Sequence, residues 1–243
     1  MKILLTDEGK RFNRDWILRH LHYEFESGQS YAIIGPNGSG KSTLLQVLSG
    51  SMMVNEGNIQ WATPLLMESG GPARSQSPVR RIPWIGRVPQ AGNSGNGSGQ
   101  TAGAIDHEKV YQYISICAPY LEVIEEMTLM EFLEFHHSFK PFLEGITMEK
   151  IISILGLENA VNKQIRNYSS GMKQRVKLAQ CIFSDVPVVL LDEPCTNFDA
   201  AGFELYHQLI NDYCKNRLLI VSSNDELEYN FCKKIVNMND YKK

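Results

Sequence analysis

The 243-residue sequence predicts an α/β fold in which a mostly parallel β-sheet is flanked by helices on both sides. Three observations support this prediction. Short apolar runs alternate along the chain with segments of helical periodicity. One run, Val188–Leu191, is continuously apolar, as expected for a strand buried on both faces of a parallel sheet. A glycine-rich turn, Gly35–Gly40, joins an apolar run to a helical segment, which gives a strand–turn–helix unit.

The predicted elements follow one another in the order that this fold class requires. Ser30–Ile34 and Asn58–Ala62 are predicted strands, and the segment from Lys41 between them is a predicted helix that Gly50 ends. The later part of the chain alternates in the same way. Its predicted strands are Tyr111–Cys117, Val188–Leu191 and Leu218–Ser222, and its predicted helices are Thr128–His137, Met148–Leu155, Gly171–Phe183 and Phe203–Cys214.

Two segments lack such periodicity. Residues 64–104 become rich in Gly, Ser and Pro, most clearly from Glu68 onward, and we expect a flexible insertion there with partner binding as the alternative. The whole chain, residues 1–243, is therefore expected to form one domain. The C-terminal stretch Lys233–Lys243 is short and mildly basic and is predicted to be a solvated end.

Composition limits the classes of function. The formal net charge is −3 and no basic stripe is visible, so we expect no nucleic-acid partner. The sequence contains neither a signal peptide nor a run of about 18 to 20 apolar residues that could span a bilayer. We expect a cytoplasmic chain that reaches any membrane through a partner. Its cysteines lack metal-binding spacing and are expected to be reduced and mostly buried; they are Cys117, Cys181, Cys195, Cys214 and Cys232.

The glycine-rich turn matches the phosphate-binding pattern GxxxxGK[ST]. Glycines let successive backbone N–H groups point inward at phosphate oxygens, and the following helix adds the positive end of its dipole. Lys41 would contact the β and γ phosphates of ATP, Ser42 would offer its hydroxyl to Mg²⁺, and Thr43 would contact the α phosphate or cap the helix. A chance match is the alternative. The predicted nucleotide-binding residues are Gly35, Pro36, Asn37, Gly38, Ser39, Gly40, Lys41, Ser42 and Thr43.

A pair of acids ends the apolar run Val188–Leu191. Burying paired carboxylates costs free energy unless a cation compensates, and Mg²⁺ with its waters would do so. We predict that Asp192 holds the metal and that Glu193 orients or deprotonates the attacking water. The alternative is a strand end whose acids simply reach solvent.

The three motifs together resemble the nucleotide-binding subunit of the ATP-binding-cassette (ABC) transporters. GPNGSGKST, a serine–glycine helix start and VVLLDEP occur in the order and at the separations of that family, and YSSGM stands where the family carries LSGGQ. The resemblance implies a P-loop NTPase fold with an antiparallel β subdomain and a helical signature subdomain at about residues 120–180. It also implies a head-to-tail dimer. In such a dimer the signature residues of one chain cap the γ phosphate held by the other; they would be Ser169, Ser170, Gly171 and Met172.

The resemblance implies further contacts. Asp199, in the loop after the acid pair, would cross the dimer interface. The aromatic side chain that stacks on the adenine would be Phe12, judged by its distance from Leu18, with Trp16 as the second candidate. Core packing is the alternative for either aromatic residue.

Three departures from the family pattern predict slower turnover. Asn224 stands where the family has a histidine that contacts the γ phosphate, and an amide cannot carry a proton there. Pro119, within Ala118–Tyr120, stands where the family has a Mg²⁺-binding glutamine, while Gln90 lies in the insertion and is not favoured as its equivalent. Met172 and Ser170 replace a glutamine and a glycine of the signature.

The leading hypothesis is therefore an ATPase subunit that works with a second ABC subunit and a separate transmembrane permease. Coupling to that permease would run through Ala118–Tyr120 and the helical region Thr128–Phe139. A degenerate cassette that binds ATP as a regulatory partner is one alternative, and a cytosolic ABC ATPase without a transporter is another. The sequence does not identify the cargo, the direction of transport, or whether the dimer contains one kind of chain or two.

Overall fold

The computed structural model describes residues 1–63 and 103–241. Nine strands form two sheets in this part of the chain. An antiparallel sheet has the strand order β2-β1-β4-β5, and a parallel sheet has the order β6-β7-β8-β3-β9. The strands are β1 (Lys2–Phe12), β2 (Asp15–Glu26), β3 (Ser30–Ile34), β4 (Glu56–Ala62), β5 (Ala104–Ile105), β6 (Ile114–Cys117), β7 (Val188–Asp192), β8 (Leu218–Ser222) and β9 (Lys234–Asn237).

Helix α1 leads from β3 to β4 of the antiparallel sheet, and the other helices connect strands of the parallel sheet. They are α1 (Lys41–Leu48), α2 (Leu129–Phe139), α3 (Met148–Leu155), α4 (Ser170–Ile182), α5 (Ala200–Tyr213) and α6 (Glu226–Tyr229). Short 3₁₀ segments lie at His107–Gln112, Glu158–Ala160, Ile165–Asn167 and Met238–Tyr241. No helix within residues 1–63 and 103–241 has both the length and the apolarity to cross a bilayer.

Strand β7, the second strand of the parallel sheet, separates two hydrophobic cores. Val189 and Leu191 pack into one core with residues of α2 to α5, whereas Val188 and Leu190 pack into the other with α1 and the antiparallel sheet. Every residue of β7 and β8 is buried, because side chains alternate between two covered faces. The predicted α/β class with a buried parallel sheet is therefore confirmed.

Most predicted elements agree with the structure to within three residues at either end. The prediction for Tyr111–Cys117 is wrong in its first half, because His107–Gln112 forms a 3₁₀ helix capped by Asp106 and the strand begins at Ile114. Four of the five cysteines are buried, as expected, and Cys232 is partly exposed.

The C-terminal stretch is not a solvated end. Lys234–Asn237 forms β9, which pairs in parallel with β3, and both Val236 and Met238 are buried. Most of the predicted insertion, residues 64–102, lies outside the described residues. Its predicted end at Ala104 is wrong by two residues, because Gly103 bonds with Thr63 and Ala104 pairs with Ala62.

Candidate active site

The turn between β3 and α1 has the backbone conformation of a phosphate cradle. Gly38 and Gly40 have φ values of 76° and 96°, which favour glycine. A Cβ atom at Gly40 would lie only 2.5 Å from Cγ2 of Ile17 on β2. Glycine is therefore required at position 40 for both conformation and space.

The start of α1 leaves its backbone N–H groups available. Gly40 is the N-cap residue and makes no side-chain capping hydrogen bond. The Lys41 ammonium is buried and donates to the carbonyl oxygens of Gly35, at 2.7 Å, and Pro36, at 3.4 Å. These contacts hold one positive charge beside a ring of backbone N–H donors, an arrangement suited to a phosphate chain.

The acid pair lies at the carboxyl end of β7, which is next to the central strand β8 in the parallel sheet. Asp192 is buried, and its Oδ1 accepts a 2.7 Å hydrogen bond from the hydroxyl of Ser222. Glu193 is exposed with a left-handed φ of 44°, and its backbone N–H donates to the Ser222 carbonyl oxygen at 2.9 Å. Ser222 thus fixes the side chain of the first acid and the backbone of the second.

The strand order brings the acid pair to the phosphate cradle. Asp192 pairs with Ser222 on β8, and Ser222 pairs with Ile33 on β3, two residues before Gly35. Two interstrand spacings, about 10 Å, therefore separate the backbone of Asp192 from that of Ile33. The carboxyl ends of parallel strands meet at one edge of the sheet, so both motifs lie at the same edge.

Asn224 also lies against the cradle. Its side-chain Nδ2 donates to Oδ1 of Asn37 at 3.0 Å, and the preceding Ser223 N–H donates to the Ile33 carbonyl oxygen at 3.2 Å. The residue that replaces the family's histidine therefore reaches the phosphate-binding loop itself. It brings an amide group to that place, which donates hydrogen bonds but does not titrate.

The loop after β6 reaches the same edge of the sheet. Cys117 pairs with Leu191, so Ala118–Tyr120 follow directly beside Asp192. Burial raises the pKa of the Tyr120 phenol, and the nearby Asp192 carboxylate raises it further. The position that is predicted to replace the family's Mg²⁺-binding glutamine is therefore adjacent to the acid pair. The rejected candidate, Gln90, lies outside the described residues.

Phe12 and Trp16 differ in how much ring surface they offer. Both lie near the tip of the β1–β2 hairpin, where Phe12 pairs with Asp15 and Trp16 pairs with Arg11. Trp16 lies against Gly9 and has the Arg19 guanidinium 4.5 Å from its ring centroid. Phe12 is 46% exposed, so it is the freer of the two aromatic side chains.

The signature residues line a separate cavity of about 490 Å³. Ser169 caps α4, because its hydroxyl oxygen accepts from the Met172 N–H at 3.2 Å. The other wall of the cavity is Asn197–Asp199, and a Cβ atom at Gly171 would lie 3.4 Å from the Asn197 carbonyl oxygen. None of residues 35–43 is among the described residues that line this cavity.

Comparison with known proteins identifies the family. Residues 18–196 match the family described as ABC transporter. The chain belongs to this family. It is an ATP-binding cassette and an ATPase, and the family resemblance of its motifs is confirmed.

Relatives and solved structures agree with this membership. The chain is 28% identical to the energy-coupling factor transporter ATP-binding protein EcfA1 of Thermotoga maritima, over 94% of this chain and 74% of the relative. It is 25% identical to a putative hemin import ATP-binding protein, HrtA, of Staphylococcus epidermidis, over 96% and 93%. A putative ABC transporter ATP-binding protein from Pyrococcus furiosus superposes with a TM-score of 0.70 at 19% identity over 100% of both chains. The dimeric bacterial cassette MJ0796 superposes with a TM-score of 0.70 at 18% identity, over 97% of this chain and 93% of that one. These two likenesses show the cassette fold.

The donor atoms of the cassette fit a magnesium ion. Ser42 lies in the first turn of α1 and offers a hydroxyl, and Asp192 offers a carboxylate at the end of β7, two strands from β3 at the same edge of the sheet. Hard oxygen ligands of this kind are those that Mg²⁺ prefers.

Sequence analysis did not identify two residues that organise the cassette. Ser222 bridges the acid pair, and the buried Gln174 of α4 donates from Nε2 to the Pro194 carbonyl oxygen at 2.6 Å. Neither is part of a motif. The one available signal for Ser222 is its place as the last residue of a predicted strand, where it faces the end of the neighbouring strand.

Asp199 has a contact within its own chain. Its Oδ1 accepts from the Gly202 N–H at 2.8 Å, so it caps α5. The residue is exposed and belongs to the wall of the signature cavity. Its predicted role across a dimer interface stays a prediction.

Proposed function

We propose that this cassette binds Mg-ATP at Gly35–Thr43 and hydrolyses it with Glu193 as the general base. The observation that carries the proposal is the single row Asp192–Ser222–Ile33 across the parallel sheet, which leads directly into the phosphate-binding loop. Lys41 binds the β and γ phosphates, Glu193 takes the proton of the attacking water, and Asn224 donates a hydrogen bond to the γ phosphate. Phe12 stacks on the adenine.

Magnesium is part of the proposal. Ser42 and Asp192 would hold the ion, which supplies charge neutralisation for the β and γ phosphates when bound. Ser222 orients the Asp192 carboxylate through its 2.7 Å hydrogen bond, so the acid is already fixed towards the loop.

A second cassette completes the site in this proposal. The chain carries a phosphate-binding loop and a signature cavity, and the described lining of that cavity contains no residue of the loop. A head-to-tail dimer brings Ser169, Ser170 and Gly171 of one chain to the γ phosphate held by the other. The start of α4 then adds its helix dipole to the anion.

A transmembrane permease is the proposed partner, which makes the cassette peripheral on the cytoplasmic face of the membrane. Support comes from a groove of about 250 Å³ whose described lining includes Tyr111, Leu121 and Lys140. Phe135 and Phe139 on α2 are exposed and lie close to Lys140 in the sequence. Their rings contact each other edge to face. Exposed aromatic side chains of this kind are typical of an interaction surface.

The test is ATP turnover by the purified chain with two variants. Glu193→Gln removes the base and is expected to lower kcat by about a hundredfold or more, while nucleotide affinity stays close to that of the wild type. Lys41→Ala is expected to weaken nucleotide binding itself, because it removes the buried ammonium.

A second candidate function is a regulatory cassette that binds ATP and dimerises with little hydrolysis. The amide of Asn224 at the phosphate-binding loop favours it, because no titratable group occupies that position. ATP binding by the wild type without turnover would support this candidate. Turnover that is unchanged in Glu193→Gln would contradict the role of Glu193 as base.

A further inference from the structure

Glu228 is a buried acid that the roles described so far leave unused. It lies on α6, four residues after Asn224, and is 5% exposed. Its Oε1 accepts a 2.8 Å hydrogen bond from the backbone N–H of Cys195, and its buried Oε2 has no hydrogen-bond partner among residues 1–63 and 103–241. An acid in such a place costs stability, so its presence calls for a functional explanation.

The partner of Glu228 belongs to the loop that carries the general base. Cys195 lies two residues after Glu193. Both Glu193 and Asn197 have left-handed backbone conformations, with φ values of 44° and 67°. Backbone of this kind persists only where surrounding contacts hold it. The Cys195–Glu228 hydrogen bond is one such contact, at the centre of the loop.

The helix that presents Glu228 is also hydrogen-bonded to α5, the helix that follows this loop. The hydroxyl of the buried Tyr206 on α5 donates to the Glu228 carbonyl oxygen at 2.8 Å. Helix α5 begins at Asp199, where the same loop ends. Glu228 therefore links the middle of the loop, through α6, to the helix that follows it.

We propose that Glu228 is a positioning residue for ATP hydrolysis, which fixes the Glu193 loop through the Cys195 N–H and ties it to the segment that carries Asn224. The proposal rests on the function proposed above, in which Glu193 is the general base. The role requires an accepting oxygen at a fixed place and no negative charge. Burial raises the pKa of Glu228, against the smaller opposing effects of hydrogen bonds from Ser223 and the Cys195 N–H.

Three substitutions separate the position of the oxygen from its charge. Glu228→Gln keeps an accepting oxygen at the same reach and is expected to keep kcat within about threefold of the wild type. Glu228→Asp keeps the acid but withdraws the oxygen by one methylene, and Glu228→Leu removes it. Both are expected to lower kcat by about tenfold to a hundredfold with the KM for ATP nearly unchanged, because the phosphate-binding loop is untouched.

The matched control is Glu226→Leu, which removes an exposed acid from the same helix and is expected to leave kcat unchanged. Rates are expressed per nucleotide-binding site, so that unfolded protein does not contribute. If Glu228→Gln lowered kcat while Glu228→Asp retained it, the proposal would be overturned, because charge rather than position would then matter. Equal rates per site in all three variants would overturn it as well, since the role would be structural.

Hydrogen exchange at the Cys195 amide tests the proposal without turnover. Exchange is expected to be faster in the Leu and Asp variants than in the wild type, and unchanged in the Gln variant. Unchanged exchange in all variants would overturn the proposal. A wild type that does not hydrolyse ATP, or a Glu193→Gln variant with full turnover, would instead contradict the proposed function. The exchange result would still show whether Glu228 holds the Cys195 N–H.

Discussion

Glu8 on β1 is completely buried, and neither of its carboxylate oxygens has a hydrogen-bond partner in the part of the chain that the structure describes. Burial raises its pKa from 4.5 to about 7, against a smaller opposing effect of the Lys10 charge. Because the folded state holds this proton more tightly, the stabilising contribution is fully present below pH 4.5. It is lost as the pH rises to about 7, and a shift of this size corresponds to about 3 kcal/mol.

The substitution Glu8→Met removes this titration. We expect the variant to gain stability relative to the wild type as the pH rises, with the difference growing by about 2 to 3 kcal/mol between pH 5 and pH 8.5. Urea denaturation at a series of pH values measures it. Glu134→Met, at an exposed position on α2, is the control and is expected to give a difference that stays level with pH. A level difference for Glu8→Met as well would show that this carboxyl titrates normally.

The residues of the proposed site differ in whether sequence analysis could identify them. Lys41, Asp192 and Glu193 could be located because their motifs combine a fixed spacing with a strand or helix boundary. Ser222 and Glu228 could not, since they act through hydrogen bonds to residues about 30 positions away. Such contacts depend on the strand order of the parallel sheet, and no local pattern specifies that order.

At the scale of the elements, the helices differ in how they begin. Helices α2, α3 and α4 begin at Thr128, Thr147 and Ser169, and each of these hydroxyl oxygens accepts a backbone hydrogen bond. Helix α1 begins at Gly40 without a side-chain cap. A side-chain cap would occupy N–H groups that the phosphate chain needs, so its absence in α1 agrees with the proposed site.

Ser169 is proposed to combine both roles, because a hydroxyl can accept from its own helix and donate to a phosphate. Ser169→Ala and Thr147→Ala remove matched caps from α4 and α3. Each is expected to lower the free energy of unfolding by about 1 kcal/mol. Only Ser169→Ala is expected to lower ATP turnover per folded chain, since α3 has no part in the proposed site. Equal turnover losses in both variants would assign the effect to helix capping and contradict the signature role.

The strands with both faces buried were the easiest to predict, although β4, which is mostly exposed, was also predicted to within two residues. Val188–Leu191 and Leu218–Ser222 are continuously apolar, so their pattern alone indicated parallel-sheet strands. The hairpin of β1 and β2 escaped prediction because register shifts between Leu5 and Arg11 break its alternation of polar and apolar residues. The lysine-rich context hid β9, whose pairing with β3 supplies only a few buried side chains.

At the scale of the whole molecule, the proposed function places two incomplete half-sites in one chain. The phosphate-binding loop and the acid pair share the carboxyl edge of the parallel sheet, whereas the signature residues line a cavity with Asn197–Asp199. A contact between identical chains related by a two-fold axis pairs each half-site with its complement, so two composite sites form at once. This arrangement predicts that two inactive variants can complement each other.

Lys41→Ala impairs the phosphate-binding half, and Ser170→Glu places a negative charge at the signature half. Ser170 is exposed at the start of α4, where an acid is compatible with the helix dipole, so the second variant is expected to fold. Each variant alone is expected to be nearly inactive. In an equal mixture, half of the dimers contain both chains and have one intact composite site, so about a quarter of the wild-type turnover is expected.

The control mixture combines Lys41→Ala with Glu193→Gln. Both substitutions impair the same half-site, so every composite site in the mixed dimer keeps one defect and no recovery is expected. Steady-state phosphate release from the three pure variants and the two mixtures measures the outcome. Recovery in both mixtures would contradict the assignment of Lys41 and Glu193 to one half-site. Absence of recovery in the first mixture would contradict a dimer of identical chains, because the complement of each half-site would then belong to a different subunit.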